Sequence, residues 1–287
     1  MPLTTRQKIQ IASLASHSIR VARRLLGATD DIVQVRRNGI DWRLDLREGI
    51  DFSIYLLGAF EWRTVRACSR LIAPGHTVLD IGANIGAHTL HLARCVGARG
   101  RVYAFEPTDY AYRKLLDNIA LNPSLAPNIT AAQTMLVSGA ASRLKPEICS
   151  SWPLAGQHDR HAQHQGALKS TVGARTMTLD LFLTEVGLSK VDFVKLDVDG
   201  HECEVLEGWT TITKYRPKII MELAPYEEDG RTLSELLSLM SASGYEFFEL
   251  GRQLLFKPSV SQALDPAVIL ARIRPGTSIN ILAMPVS

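Results

Sequence analysis

The segment Asp80-Ile81-Gly82-Ala83-Asn84-Ile85-Gly86 decides the fold. It follows a short apolar run, residues 76–81, that reads as a strand, and it opens residues 87–96, which read as a helix. Gly82 lets the chain turn tightly, and Gly86 lets the helix start approach a ligand closely. Backbone N–H groups around Asn84 and the helix start then face that ligand. The spacing is G-x-x-x-G with an acid two residues before the first glycine. A dinucleotide fingerprint would instead read G-x-G-x-x-G and seat a pyrophosphate. Asp80 would repel a pyrophosphate; it suits a ligand with an ammonium group, such as the methionine end of S-adenosylmethionine. Taken alone, Asp80 also fits a turn or cap residue. Glu106 ends the next strand, residues 101–105, where an acid can accept both ribose hydroxyl hydrogens.

Outward from this loop, strands and helices alternate. Residues 110–121, 178–186, 203–214 and 231–242 carry helical apolar spacing. Residues 129–137, 191–197, 218–223, 245–250 and 278–284 read as strands. Such alternation predicts an α/β fold, a doubly wound, Rossmann-like sheet covered on both faces. Two closing strands without a full helix between them predict an antiparallel C-terminal edge hairpin, as in class I methyltransferases. Before this core, residues 59–73 look helical, and residues 32–52 alternate around Asn38-Gly39 as a β-hairpin. The domain reading is therefore an N-terminal helix and hairpin extension over 1–58 and a catalytic domain over 59–287. Residues 141–175 break the rhythm and predict a long loop near the ligand end of the sheet. Its His158, His161 and His164 fit a solvated segment better than zinc, which needs a held geometry.

With 46% hydrophobic residues and no long uncharged apolar run, the chain reads as a globular protein without a membrane-spanning helix. A net charge of +3 does not call for nucleic acid, and no nucleic-acid partner is expected. Cys68, Cys95, Cys149 and Cys203 are scattered, which argues against a disulfide framework and for a reducing, cytoplasmic setting. Residues 1–29 hold Arg6, Lys8, Arg20, Arg23 and Arg24 and no acid. As a helix the segment either packs on the domain or a second subunit, or rests peripherally on an anionic membrane. The oligomeric state is open.

A second polar cluster, Lys195-Leu196-Asp197-Val198-Asp199-Gly200-His201-Glu202, ends a strand and begins a helix. In a doubly wound sheet it lies across the topological switch point from the glycine loop. With it the chain resembles the FkbM family of methyltransferases. The matching pieces are Phe60-Glu61, Asp80 to Gly86, Phe105-Glu106-Pro107, Asn118, Asn122, Thr178-Leu179-Asp180, Lys195 to Glu202, Arg216-Pro217, Glu222 and Asn280. Asp199 departs from the family's more usual Glu. The resemblance implies methyl transfer from S-adenosylmethionine to an oxygen of a sugar, lipid-linked glycan or natural product. The 141–175 segment matches nothing in particular, so the small-molecule or glycan acceptor is not named.

For a hydroxyl acceptor the protein must align the oxygen and help remove its proton. His201 is the first candidate base, since an imidazole titrates near neutrality; a helix N-terminal role is the alternative. Asp197 can hold the cofactor's methionine end, orient the acceptor or bind a metal. Asp197 and Glu222 occupy strand ends that carry metal ligands in catechol-type methyltransferases, a fold-level analogy for a possible divalent ion. Lys195 reads as the buried partner of Asp197, Glu222 or Glu61. Glu61 reaches the methionine end of the cofactor or caps a helix, and the adenine pocket is expected near Val137 and Ser138. Competing readings are a non-catalytic S-adenosylmethionine-binding module and a nicotinamide-dependent oxidoreductase, the latter disfavoured by the glycine spacing. A nucleic-acid methyltransferase is weakened by Asp197-Val198-Asp199-Gly200, which stands where such enzymes carry Asn/Asp-Pro-Pro-Tyr/Phe.

Overall fold

In the computed structural model the described residues are 5–139, 142, 144–155, 166–224, 232–250, 263–274 and 278–286. His158, His161 and His164 lie outside them. Helix α1 (Thr5–Leu25) leads into strands β1 (Ile32–Arg37) and β2 (Ile40–Asp45), paired antiparallel. Asn38 and Gly39 both adopt positive φ, 48° and 74°, as a two-residue turn of this hand requires. Two helices follow, α2 (Gly49–Leu57) and α3 (Trp62–Leu71). The alternating pattern to residue 52 therefore overran a helix: Ile50 and Ile54, four apart, are both buried by α2. Left-handed Gly58 ends α2, and left-handed Glu61 precedes α3, which delays the helix expected from 59.

The core sheet contains β3 (Thr77–Ile81), β4 (Arg101–Phe105), β5 (Ile129–Ala132), β10 (Phe193–Leu196), β11 (Lys218–Leu223), β12 (Tyr245–Glu249) and β13 (Ile279–Pro285). Its order is β12-β13-β11-β10-β3-β4-β5. β13 runs antiparallel to β11 and β12, and the remaining pairs are parallel. The order reverses between β3 and β10, so their carboxyl ends open the crevice where doubly wound sheets bind ligands. The antiparallel edge matches the sequence reading, with one addition: α10 (Pro266–Arg272) lies between the closing strands.

Side chains alternate across the sheet. Val78, Phe193, Ile220 and Leu282 pack beneath α3 and α4 (Thr89–Val96), against Cys68 and Leu92. Leu79, Val194, Leu196 and Met221 face α6 (Leu179–Val186) and α9 (Leu233–Ala242). This parity has a consequence for chemistry. Asp80, Lys195, Glu222 and Asn280 share the first face, and Lys195 is in register with Asp80 and Glu222 with Asn280. A polar layer therefore caps that face at the carboxyl ends of the strands.

Three other expectations are corrected. The strand expected over 129–137 splits into β5 and β6 (Thr134–Leu136), and β6 pairs with β9 (Arg175–Met177) outside the main sheet. The loop over 141–175 contains an antiparallel hairpin, β7 (Glu147–Ser151) with β8 (Ala167–Ser170). The helix over 203–214 breaks at Gly208 into α7 (Glu202–Glu207) and α8 (Ile212–Tyr215). A Cβ at Gly208 would lie 2.2 Å from the Val137 carbonyl oxygen, so this close approach requires glycine.

The N-terminal elements are bound into the core. Ile40, Trp42, Leu44 and Ile54 pack with Ile85, Leu90 and Leu154 in one buried cluster. The edge of β2 is zipped to α5 (Asp109–Ala120) and the turn after it. The Arg43 N–H donates to Asn118 Oδ1 (2.9 Å), the Asp41 N–H donates to Asn122 Oδ1 (3.0 Å), and Asn122 Nδ2 donates to the Asp41 carbonyl (2.7 Å). Among the described residues no helix is long and apolar enough to cross a membrane.

Candidate functional site

The glycine loop wraps the end of β3. Gly82 has φ 83°, and a Cβ there would stand 1.7 Å from the Asp197 carbonyl oxygen. Gly86 has φ 89°, and its Cβ would stand 2.9 Å from Leu115 Cδ1. Both glycines thus permit close approach by the protein itself. Gly82 is what lets the loop lie directly on the switch-point strand. Asn84, also left-handed at φ 48°, donates its N–H to Glu106 Oε2 (3.0 Å) and its side-chain amide to the Ser150 carbonyl (2.9 Å). Gly82, Ala83 and Asn84 line a cavity of about 610 Å³, whereas Asp80 and Gly86 stand behind its wall. Asp80 is fully buried and its Oδ2 accepts from Thr89 Oγ1 (2.6 Å). It therefore fixes the start of α4 and adds negative charge beneath Lys195.

Glu106 ends β4 at the cavity wall, almost wholly buried. Its Oε1 accepts from the Thr108 N–H (2.9 Å), Thr108 Oγ1 (2.5 Å) and Ser150 Oγ (3.4 Å). Burial pushes its carboxyl upward, and the donors from Thr108, Asn84 and Ser150 offset that only in part. Beside it the wall is formed by Phe105, Thr134, Met135 and Leu136. Val137 and Ser138, expected at an adenine pocket, are not on this wall. The Val137 carbonyl is turned to Gly208, and β6 reaches the wall through Thr134, Met135 and Leu136.

At the other side of the crevice the polar layer comes together. Lys195 is buried and its Nζ donates to Asp197 Oδ2 (2.7 Å). Burial opposes its charge, but the carboxylates of Asp197, Asp80 and Glu61 outweigh burial and raise its pKa above the usual lysine value. Asp197, Asp199 and Glu222 offer oxygens that all lie within 4.8 Å of one another. Burial, and then the charge of Asp197, hold the Asp199 and Glu222 carboxyls well above the usual carboxylate range. Asp199 sits at φ 51°, a left-handed position that Asp tolerates better than most residues. Glu222 also accepts a hydrogen bond from the Ser278 hydroxyl.

Glu61, placed by its left-handed backbone, faces the same layer. Its carboxylate lies 3.7 Å from His88 Nε2, and it accepts from Thr64 Oγ1 (3.2 Å) and Asn280 Nδ2 (3.3 Å). Burial would push it up, yet His88, Lys195 and Thr64 draw it below the usual range. His201 caps α7, is buried, and has Nδ1 3.6 Å from Glu204 Oε2. Glu61, Asp197, Asp199, Glu222, Lys195, His88 and His201 all line the cavity. Of these, His88 was missed in the sequence. It follows Gly86-Ala87 directly, and the position two residues past the second glycine was the signal.

The site thus has an end with backbone N–H groups and one buried acid, and an end with two histidines and a carboxylate cluster neutralised in part by a lysine. A family model described as the methyltransferase FkbM domain matches residues 80–247. The hexuronic acid methyltransferase AglP of Haloferax volcanii is 26% identical over 160 residues, covering 55% of this chain and 60% of that protein. Methyltransferase sdnD of Sordaria araneosa is 30% identical over 156 residues, covering 46% of this chain and 59% of that protein. The chain thus spans about three fifths of the length of these two curated relatives. Among solved structures, a SAM-dependent O-methyltransferase of Thermotoga maritima aligns with a TM-score of 0.43 and 14% identity, over 93% of this chain and 82% of that one.

Proposed function

The chain belongs to the FkbM methyltransferase family, and from that premise we propose that it methylates a hydroxyl oxygen of a sugar, glycan or natural product with S-adenosylmethionine as donor. The observation that carries this reading is one cavity joining the Gly82-Ala83-Asn84 loop and Glu106 to the cluster of His201, Asp197, Asp199 and Glu222. Glu106 suits a ribose diol, because a buried carboxylate that already takes a hydroxyl donor from Ser150 can take one from a sugar. Glu61 and Asp197 suit the ammonium of the methionine end. When bound, the cofactor supplies an activated sulfonium methyl.

The residues of the chain then divide the work. The glycine loop and Glu106 fix the nucleoside. The carboxylate cluster accepts the acceptor's hydroxyl hydrogen and orients its oxygen. Three carboxylates this close resist full ionisation together, so one proton is shared in the cluster while an ionised member or His201 draws the acceptor proton. Asp197, Asp199 and Glu222 are the residues that would hold a divalent cation. Lys195 already supplies positive charge to Asp197 at 2.7 Å. A cytoplasmic setting agrees with the scattered spacing of Cys68, Cys95, Cys149 and Cys203.

Calorimetry with S-adenosylmethionine, with NAD as the control and Glu106→Ala beside the wild type, tests the cofactor. Binding that Glu106→Ala loses supports the reading, and a well-folded wild type that binds neither ligand overturns it. Turnover of labelled donor on hydroxylated acceptors, abolished in His201→Gln, then separates an enzyme from a binding module.

A further inference from the structure

The cavity continues past the polar layer into an arm between α1 and α2. Its wall there is Ile9, Ala12 and Ala15 of α1, and Phe52, Leu56 and Leu57 of α2. Among the described side chains, neither helix brings a charged one to the wall. The hydroxyl that α2 does bring, on Ser53, donates to the Ala59 carbonyl (3.3 Å). A sugar in this arm would give up its water and find no hydrogen-bond partner from either helix, at a cost of a few kcal/mol for each buried hydroxyl. An apolar chain would lose nothing and gain contact.

The arm opens through an apolar rim. Ile11, Leu56 and Leu57 belong to the cavity wall and are still 55%, 53% and 65% exposed. From Ile11 the exposed stripe runs along α1 through Leu14, Val21 and Leu25, spaced three, seven and four residues apart on one helix face. The inner face of α1 is separate: Ile9, Ala12, Ala15 and Ile19 pack on the core, and Ser16 Oγ donates to the Leu46 carbonyl (2.6 Å). The outer stripe is therefore not needed to hold the helix in place. Exposed apolar surface continuous with a ligand cavity marks an interaction site. The charge of the segment selects the partner. Helix α1 carries Arg6, Lys8, Arg20, Arg23 and Arg24 and no acid, with Asp31 beside it bridging Arg20 and Arg24.

We propose that this face rests on an anionic lipid surface and that the acceptor is a membrane-borne amphiphile, its apolar chain lying in the α1–α2 arm and its hydroxyl presented to the His201 and carboxylate cluster. The proposal rests on the methyltransferase reading above and names its substrate class. Basic residues bring the helix to the headgroups, and the stripe and rim sink into the acyl boundary. The mouth then opens toward the bilayer, so a lipid-like acceptor enters without crossing water.

Two measurements on the full chain test it. The first is co-sedimentation with vesicles of phosphatidylglycerol and phosphatidylcholine, against phosphatidylcholine alone. Partitioning onto the anionic vesicles, weakened by salt and reduced at least about tenfold in Leu14→Asp with Leu25→Asp, is the expected result. Wild-type protein that stays in the supernatant, or a double variant that partitions equally, overturns the proposal. So does a dimer in light scattering that the double variant splits, because the stripe then belongs to a second copy. The second is titration with glucose and with hexyl, octyl and decyl glucosides. Affinity should rise roughly three- to fourfold for each added methylene until the arm is full, and Leu57→Asp should flatten the series. A series flat in the wild type overturns the proposal. S-adenosylmethionine titrated into the same samples reports separately on the cofactor, so failure of the activity reading is distinguished from failure of the lipid reading.

Discussion

Replacing Glu222 by Gln should raise the stability of the protein at pH 8 and leave it unchanged near pH 4. Glu222 shares a space within 4.8 Å with the oxygens of Asp197 and Asp199, and its carboxyl is held well above the usual range by burial and by the charge of Asp197. One like-charge pair at that separation costs about 0.9 kcal/mol at the dielectric of water and about 3.5 kcal/mol at an effective value of about 20. The lysine ammonium beside Asp197 offsets part of this, so about 1–3 kcal/mol is the expected range. In the unfolded chain Glu222 titrates near about 4.3. Because folding raises its pKa, the proton it holds favours the folded state; that contribution is complete below the unfolded value and is lost as pH rises through the folded one. The amide never ionises and escapes the loss. Thermal melts from pH 4 to pH 8, with chelator present, should show the variant melting higher at pH 8 by roughly 2–4 °C for each kcal/mol, with the gap closing toward pH 4. A gap of the opposite sign at pH 8, or one independent of pH, would refute the electrostatic account.

Four further outcomes are expected. Gly82→Ala places a methyl 1.7 Å from the Asp197 carbonyl oxygen at positive φ, so urea melts should show a loss of several kcal/mol, with at least about 1–2 from the backbone alone. Lys195→Met leaves Asp197, Asp80 and Glu61 without their buried counter-charge, and urea melts should show a loss of about 3–5 kcal/mol. Asn118→Ala removes the acceptor of the Arg43 N–H and the donor to the Ile85 carbonyl, which should cost about 2–3 kcal/mol and speed hydrogen exchange at Arg43. His201→Gln should lower turnover about 10²–10⁴-fold while S-adenosylmethionine affinity stays within a factor of about two; equal loss of both would make it a structural cap.

The sheet was legible because most of its strands read as apolar runs, and β3, β4, β10 and β11 are each followed by helical spacing. Boundaries failed where a tertiary contact overrode the local pattern. Gly208 looks like one weak point inside a helix, and only the Val137 carbonyl pressed against it shows why the helix must break there. Residues 49–57 satisfy an alternating pattern and a helical one, and the Ile50 and Ile54 spacing won because a neighbouring cluster was there to cover it. In the site, Glu106, Asp197 and His201 were readable because strand ends at a switch point are predictable from topology. Asp80 and Gly86 were readable as a motif but not as to direction: sequence does not say whether a conformation serves a ligand or the packing behind it. Asn118 and Asn122 carried no chemical signature, since their partners are backbone groups of a hairpin some seventy-five and eighty-one residues away.

Glu106 is an unevenly loaded acceptor. A carboxylate has about two lone-pair directions on each oxygen, yet the Thr108 N–H and the Thr108 and Ser150 hydroxyls crowd Oε1 while the Asn84 N–H alone reaches Oε2. On the proposed reading, one ribose hydroxyl is admitted directly at Oε2 and a second at Oε1 by exchange. The donor with the longest reach, Ser150 at 3.4 Å, belongs to β7 and not to the main sheet. That pair of strands is thus tied to the Glu106 end of the site by the Ser150 hydroxyl and by the Ser150 carbonyl, which accepts from the Asn84 amide. Whatever shifts that pair changes the donors at Glu106 and the hold on Asn84 together, and so, on the proposed reading, the affinity for the ribose.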